Sequence, residues 1–205
     1  MKFKIVRSNF FKTLSHLHGI VDKKNSLPIL SNILIEAKDN ALTLSSTDMD
    51  ISIIENIDCN VFEDGATTIN SQILYDIVRK IDDNSEIEII SNDGKLLTLR
   101  ANGSRFSLAC LPKEDFPIID QDNLGNTITI NSKIIFKLID KTKFAISNEE
   151  TRYFLNGLYF NITKDKSNSI LTLVGTDGHR LAKFSHNIEG NIDQVSGVII
   201  PKKTI

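Results

Sequence analysis

Apolar and polar positions alternate over residues 2–6 and then recur at Phe10, Phe11, Leu14 and Leu17, so a short strand is predicted to run directly into a helix. Ser8 is placed to cap that helix and Gly19 to stop it. After the polar link 22–26, Leu27-Pro28-Ile29-Leu30 reads as an extended lead-in, because proline lacks the amide hydrogen a helix uses and restricts the residue before it. Strands are predicted at 32–37, 41–46 and 50–57, the first two joined across Asp39-Asn40.

The pattern then restarts. A strand at 66–70 leads to Ser71 as a second cap and to an apolar stripe of Ile73, Leu74, Ile77, Val78 and Ile81. Strands at 86–91, 95–101 and 104–110 follow, separated by the turn signals Asn92-Asp93-Gly94 and Asn102-Gly103. Residues 111–126, with Pro112, Pro117 and a cluster of acids, break the rhythm and read as a linker. A third start places a strand at 128–131, Ser132 before a helix, and Ile134, Ile135, Leu138 and Ile139 on its inner face. Strands at 153–163, 169–175, 180–185 and 197–201 complete the reading.

The restarts form an internal repeat. Val6-Arg7-Ser8, Ile69-Asn70-Ser71 and Ile130-Asn131-Ser132 mark equivalent strand-to-helix joints. Each unit is a strand, a helix and a set of strands, which predicts an α+β fold. Alternate units match more closely: residues 41–48 (ALTLSSTD) correspond to 170–177 (ILTLVGTD). A fourth helix would begin near Ile205, so the chain is expected to be a piece of a longer protein.

Composition narrows the function classes. With 205 residues and 40% hydrophobic content the chain can build one large or two modest cores. It holds no apolar run near the ~20 residues that cross a bilayer and no signal-peptide pattern at its start, so a soluble, cytoplasmic protein without a membrane partner is expected. Cys59 and Cys110 are far apart and outside any metal or redox spacing, and read as small buried hydrophobes.

The net charge is only −2, yet its placement is uneven. Arg7, Lys12, Lys23 and Lys24 oppose Asp22 around the first helix, and Arg79 and Lys80 oppose Asp76 on the second. Lys133, Lys137, Lys141 and Lys143 oppose Asp140 on the third, and Lys202 and Lys203 lie near the end. The helices are therefore basic and the strands and loops acidic, which suits non-specific contact with a phosphate backbone if the helices share a surface; lysines coating exposed helix faces are the plainer account.

Two polar turns carry candidate chemistry. Asp177 and His179 could be an acid/base or metal-binding pair, but no third ligand or nucleophile stands at a recognisable spacing. The other reading makes 176–181 a tight turn whose glycine backbone and apolar Leu181 wall a docking groove. Asp48 and Asp50 offer a DxD metal pair, or simply the same turn in the first repeat.

Leu27-Pro28-Ile29-Leu30, Thr47-Asp48, Gly65-Ala66-Thr67-Thr68, Arg105-Phe106-Ser107-Leu108, Leu111-Pro112 and Asp115-Phe116-Pro117 occur in this order. They are followed by Arg152-Tyr153-Phe154-Leu155-Asn156-Gly157, Thr176-Asp177-Gly178-His179-Arg180-Leu181-Ala182 and Ile200-Pro201-Lys202. The ordered set resembles the bacterial sliding-clamp family, the β subunit of DNA polymerase III. The resemblance implies a DNA-clamp fold with helices on one side and antiparallel sheets on the other. It implies a first clamp domain at 1–120, a second at 127–205 that is incomplete at its C-terminal end, and a third domain absent. It further implies a head-to-tail dimeric ring around duplex DNA that tethers the polymerase, with no catalysis, cofactor or metal.

The partners it implies are duplex DNA, the polymerase III catalytic subunit, the clamp loader, and other DNA polymerases and repair proteins bearing clamp-binding motifs. Carried over by position, Leu155, Thr176, Gly178, His179, Arg180 and Leu181 would wall the groove for those motifs. Lys24, Tyr153, Phe154, Lys202 and Lys203 would approach DNA, and Arg105, Phe106 and Leu108 would meet the second subunit. Phe154 stands where tyrosine is more familiar, Lys24 and Lys202 where arginine often stands, and Ile73 where a basic residue can occur. A small enzyme built on Asp177 and His179, or a repeat scaffold unrelated to DNA, would be the rival readings.

Overall fold

In the computed structural model, which describes residues 1–21, 27–117, 128–149, 151–165, 168–188, 192 and 195–205, the opening alternation becomes strand β1 (Lys2–Val6), with Phe3 and Ile5 buried. The chain divides into two compact units, Met1–Asp120 and Gln121–Ile205.

In the first unit β1 leads straight into α1 (Arg7–His18), followed by β2 (Asn32–Lys38), β3 (Ala41–Thr47), β4 (Ser52–Asp58) and β5 (Asn60–Glu63). The second repeat supplies β6 (Gly65–Asn70), α2 (Ser71–Arg79), β7 (Glu86–Ile90), β8 (Leu96–Ala101) and β9 (Ser104–Leu111). These strands form a nine-stranded sheet in the order β4-β3-β2-β6-β9-β8-β7-β1-β5. Each repeat lends its first strand to the other: β1 pairs with β7, and β6 with β2, both antiparallel.

The repeats also match at their ends. β9 pairs with β8 along most of its length, then passes its last residues to β6 through Ile69–Cys110 and Thr68–Leu111. In the first repeat the same path is broken at Cys59, giving β4 on β3 and β5 on β1. Phe10, Leu14 and Leu17 of α1 and Leu74 and Val78 of α2 are buried against one core with the inner face of the sheet. Each such side chain contributes about 1.5–3 kcal/mol on leaving water. The helices lie side by side, with Phe11 stacked on Tyr75 at 5.2 Å and His18 on the same ring at 4.6 Å.

The second unit contains α3 (Ser132–Thr142), β10 (Gly157–Asp165), β11 (Asn168–Thr176), β12 (Leu181–Ile188) and β13 (Val195–Pro201), in the sheet order β12-β11-β10-β13. Leu138 of α3 is buried with Leu158, Ile162, Leu171 and Leu173. β13 lies on β10 as β6 lies on β2. Close backbone approach explains two glycines here: a Cβ would lie 2.4 Å from Ile200 O at Gly157, and 2.6 Å from Thr142 O at Gly175.

Several local expectations give way to the structure. The serines do not cap: Asn70 Oδ1 accepts from Ile73 N (3.0 Å) and Asn131 Oδ1 from Lys133 N (2.9 Å), whereas Val6 opens α1 without a side-chain acceptor. Pro28 begins a single 3-10 turn, Pro28–Ser31, since the first helical position needs no amide hydrogen. Tyr153–Leu155 is likewise a 3-10 turn and not the start of a strand, and 128–131 is not strand. Gly19 ends α1 with right-handed backbone, φ −65°. Cys59 and Cys110 are half-buried, and burial raises both thiol pKa values. Of the expected linker, 118–126 lies outside the described residues, as does Lys24.

Candidate functional site

The β11–β12 hairpin is built by its own polar side chains. Thr176 Oγ1 donates to Arg180 O (2.7 Å) and accepts from Gly178 N (3.1 Å). Asp177 Oδ1 accepts from His179 N and Arg180 N, both at 3.0 Å, and Oδ2 from Arg180 Nε at 3.0 Å. These bonds, the backbone ones first, hold the Asp177 carboxyl down at about 2 against an ordinary 3.8. Gly178 takes φ +89°, where a side chain is strained. The turn holds His179 and Arg180 exposed, and leaves Leu181 66% exposed.

The first repeat reproduces this turn. Thr47 Oγ1 donates to Ile51 O (2.9 Å) and accepts from Met49 N (3.1 Å), while Asp48 Oδ1 accepts from Asp50 N and Ile51 N. Met49 occupies the glycine's place at φ +79°. Asp48 and Asp177 thus act as turn formers, and among the described residues no group of three or more His, Cys, Asp or Glu could hold a metal ion.

Leu155 stands near the hairpin through shared neighbours. Its carbonyl accepts from Ser147 N (3.1 Å), and its amide donates to Arg152 O (2.8 Å). A Cβ on Gly178 would lie 3.4 Å from Arg152 Nη1, and the Arg180 guanidinium sits 5.8 Å from the Phe144 ring centroid. The turn and the hairpin therefore share Arg152 as a neighbour, with Ser147 beside the turn and Phe144 beside the hairpin. Arg152, paired with Glu149 at 2.7 Å, and the exposed Phe144 were missed by sequence reasoning; only an aromatic left outside the apolar stripe of α3 hinted at the latter.

Tyr153 is 80% exposed and Phe154 53%, their rings edge to face at 5.7 Å. Lys202 N donates to Asn156 O at 3.0 Å and Lys202 Nζ to Asn148 Oδ1, so the 3-10 turn Lys202–Thr204, which carries Lys203, lies beside the aromatic pair. On α3, Lys133, Lys137 and Lys141 are exposed at four-residue steps, a cationic stripe. On the helices of the first unit the exposed cations are Lys12, Arg79 and Lys80; Arg7, counted above with them, is buried.

Arg105, Phe106 and Leu108 lie on β9. Arg105 is exposed, whereas Phe106 and Leu108 are half-buried against the core. Among the described residues, 104–109 pair with β8 alone, which leaves their other edge open there. Phe106 lines a cleft of about 510 Å³ whose opposite wall is α2, through Ile73 and Ile77, and the residues just after it, through Ile81. These isoleucines read as an inward stripe in the sequence, but Ile73 is 50% exposed and faces the cleft. No helix among the described residues is long and apolar enough to cross a membrane.

Two strand-helix-strand repeats that exchange first strands in one antiparallel sheet, with helices packed together over its inner face, define a DNA-clamp fold. Profiles of the DNA polymerase III beta subunit match the chain, the N-terminal domain over residues 1–120 and the central domain over 129–205. The chain belongs to the DNA polymerase III beta subunit family, the bacterial sliding clamps.

The Beta sliding clamp of Caulobacter vibrioides (strain NA1000 / CB15N) is 41% identical over 206 residues, covering 100% of this chain and 55% of the relative. That of Escherichia coli (strain K12) is 33% identical with the same coverage. A solved sliding clamp from Bartonella birtlesii, bound to griselimycin, superposes with a TM-score of 0.92 at 41% identity, over 99% of this chain and 54% of that one. The Caulobacter crescentus clamp gives 0.89 at 41%, over 100% and 55%. The chain thus spans about half the length of the curated relatives it matches.

Proposed function

We propose that this chain is part of a processivity clamp: complete protomers close head to tail into a dimeric ring that slides on duplex DNA and tethers the replicative polymerase. Residues 1–120 and 127–205 are then its first domain and part of its second. The protein catalyses no reaction; it acts in the cytoplasm as a subunit of the polymerase III holoenzyme. The clamp loader, the polymerase catalytic subunit, and other polymerases and repair proteins compete for one groove.

Leu155, Thr176, Gly178, His179, Arg180 and Leu181 form this chain's wall of that groove, with Arg152 and Phe144 beside them. Lys24, Tyr153, Phe154, Lys202 and Lys203 meet DNA, assisted by the α3 lysines through weak, salt-sensitive phosphate contacts that permit sliding. Arg105, Phe106 and Leu108 form a subunit contact, with Ile77 and Ile81 across the cleft. The observation that carries this reading is the rigid Thr176–Leu181 hairpin, which holds a large apolar side chain in solvent beside the Leu155 turn in a chain matching clamps along its whole length.

The test uses a complete clamp protomer containing this chain, loaded on nicked circular duplex. Retention through gel filtration should be lost once the circle is linearised, and Leu181→Ala should weaken capture of a short apolar client peptide by about tenfold. Retention that is indifferent to linearisation would overturn the ring. Under the rival enzyme reading, replacing Asp177 and His179 with alanine would instead abolish a turnover.

A further inference from the structure

We propose that Arg7 is a positioning residue for the α2–β9 cleft, and through it for subunit closure; the second part rests on the reading of that cleft as a subunit contact. Arg7 opens α1 and is 7% exposed, but its guanidinium serves the far end of α2. Nε donates to Val78 O at 2.9 Å, Nη2 to Arg79 O at 2.8 Å, and Nη1 to the Asp83 carboxylate. The flat face of the guanidinium lies 4.3 Å from the Phe11 ring centroid, and Arg7 N donates to Ser85 O at 2.9 Å.

Val78 and Arg79 belong to the last turn of α2; Val78 O also accepts from Ile81 N at 3.3 Å, so Arg7 adds a second donor there, and Arg79 O receives Nη2. Lys80 follows with right-handed backbone and no glycine stop, its N–H closing on Ile77 O, and a cation from another helix adds to that closure and complements the dipole of α2. The loop that follows is held from the other side as well. Asn102 Nδ2, from the β8–β9 turn, donates to Asp82 Oδ2 (3.1 Å) and Ser85 Oγ (2.7 Å).

Residues 80–85 are therefore anchored twice, by Arg7 on the α1 side and by Asn102 on the β9 side. Ile77, Lys80, Ile81 and Asp82 form one wall of the cleft; Asn102, Ser104 and Phe106 form the other. Arg7 lines neither wall, yet it fixes where the first stands. A lysine there keeps the charge but carries its three donors on one nitrogen, unable to reach two carbonyls and a carboxylate as a planar fork does.

Three variants of this chain test the idea: Arg7→Lys; Asp83→Asn, whose side chain is 79% exposed in the native chain and whose loss leaves the core intact; and Leu44→Ala, a core truncation on β3 that lowers stability away from the cleft. Arg7→Lys should speed amide exchange across 80–85 about tenfold and move the Ile77 and Ile81 methyl and Phe106 ring resonances, with Asp83→Asn about threefold. Leu44→Ala should lower the thermal midpoint without moving those signals. In the complete ring, Arg7→Lys should raise the subunit dissociation constant about tenfold, and Leu44→Ala should not.

If Arg7→Lys leaves residues 77–85 no more altered than Leu44→Ala does, the positioning role is overturned. Should Arg7→Lys fail to fold, unchanged exchange in Asp83→Asn overturns it equally. Phe106→Ala separates the two claims: if it leaves subunit association intact, the contact reading fails while the exchange data still decide the role of Arg7.

Discussion

Asp177 accepts two backbone amides and the Arg180 side chain, so its carboxylate is committed to shaping the turn that presents Leu181. Because these bonds favour the charged form, the turn is at full strength above the ordinary carboxyl value of 3.8 and weakens as pH falls through about 2. A carboxyl ¹³C titration should therefore give Asp177 a midpoint near 2, and Asp177→Asn should remove the acid sensitivity of the His179 and Arg180 amide shifts; a midpoint in the ordinary range would refute this account. The paired motif was visible in the sequence because Thr-Asp recurs at 47–48 and 176–177 before the same backbone bend. What could not be read was the use of each side chain, since a carboxylate beside an imidazole looks like chemistry until its lone pairs are traced.

Among the elements, helix starts show how a register of one residue escapes pattern reading. Serine and asparagine both cap, and where they are adjacent only the turn geometry decides between them; here Asn70 and Asn131 reach the free amides. Asn70→Ala should cost about 1 kcal/mol in urea denaturation, and Ser8→Ala, at an exposed position inside α1, less than ~0.5 kcal/mol. Equal losses would contradict the assignment. Strand and helix order was legible because the alternation and the stripes were strong. β5 was hidden because one long path breaks at Cys59, and Tyr153–Leu155 was misread because aromatics favour strands while a hydrogen bond from Ser147 bends this turn. Arg7 was misplaced for a related reason: its charge is visible in sequence, but not that a neighbouring helix end absorbs it.

At the scale of the molecule, the exchange of first strands explains an expectation that failed. β1 is a strand because β7 and β5 pair with it, and 128–131 has the same alternation but no strand pairs with it among the described residues. Amide exchange at 128–131 should therefore be nearly unprotected in this chain, and at least about tenfold slower in a longer chain supplying a β7-like partner. Equal protection in both would mean that the segment is irregular for another reason.

The same exchange sets a schedule for synthesis. Phe3 leaves the ribosome well before Ile89, its ladder partner on one edge; β5 can cover the other edge through Val61, but the edge that faces β7 waits with its hydrogen-bonding groups exposed until the second repeat has emerged. A nascent chain stalled before residue 86 should thus be prone to mispairing, and its safe folding depends on how quickly elongation delivers β7.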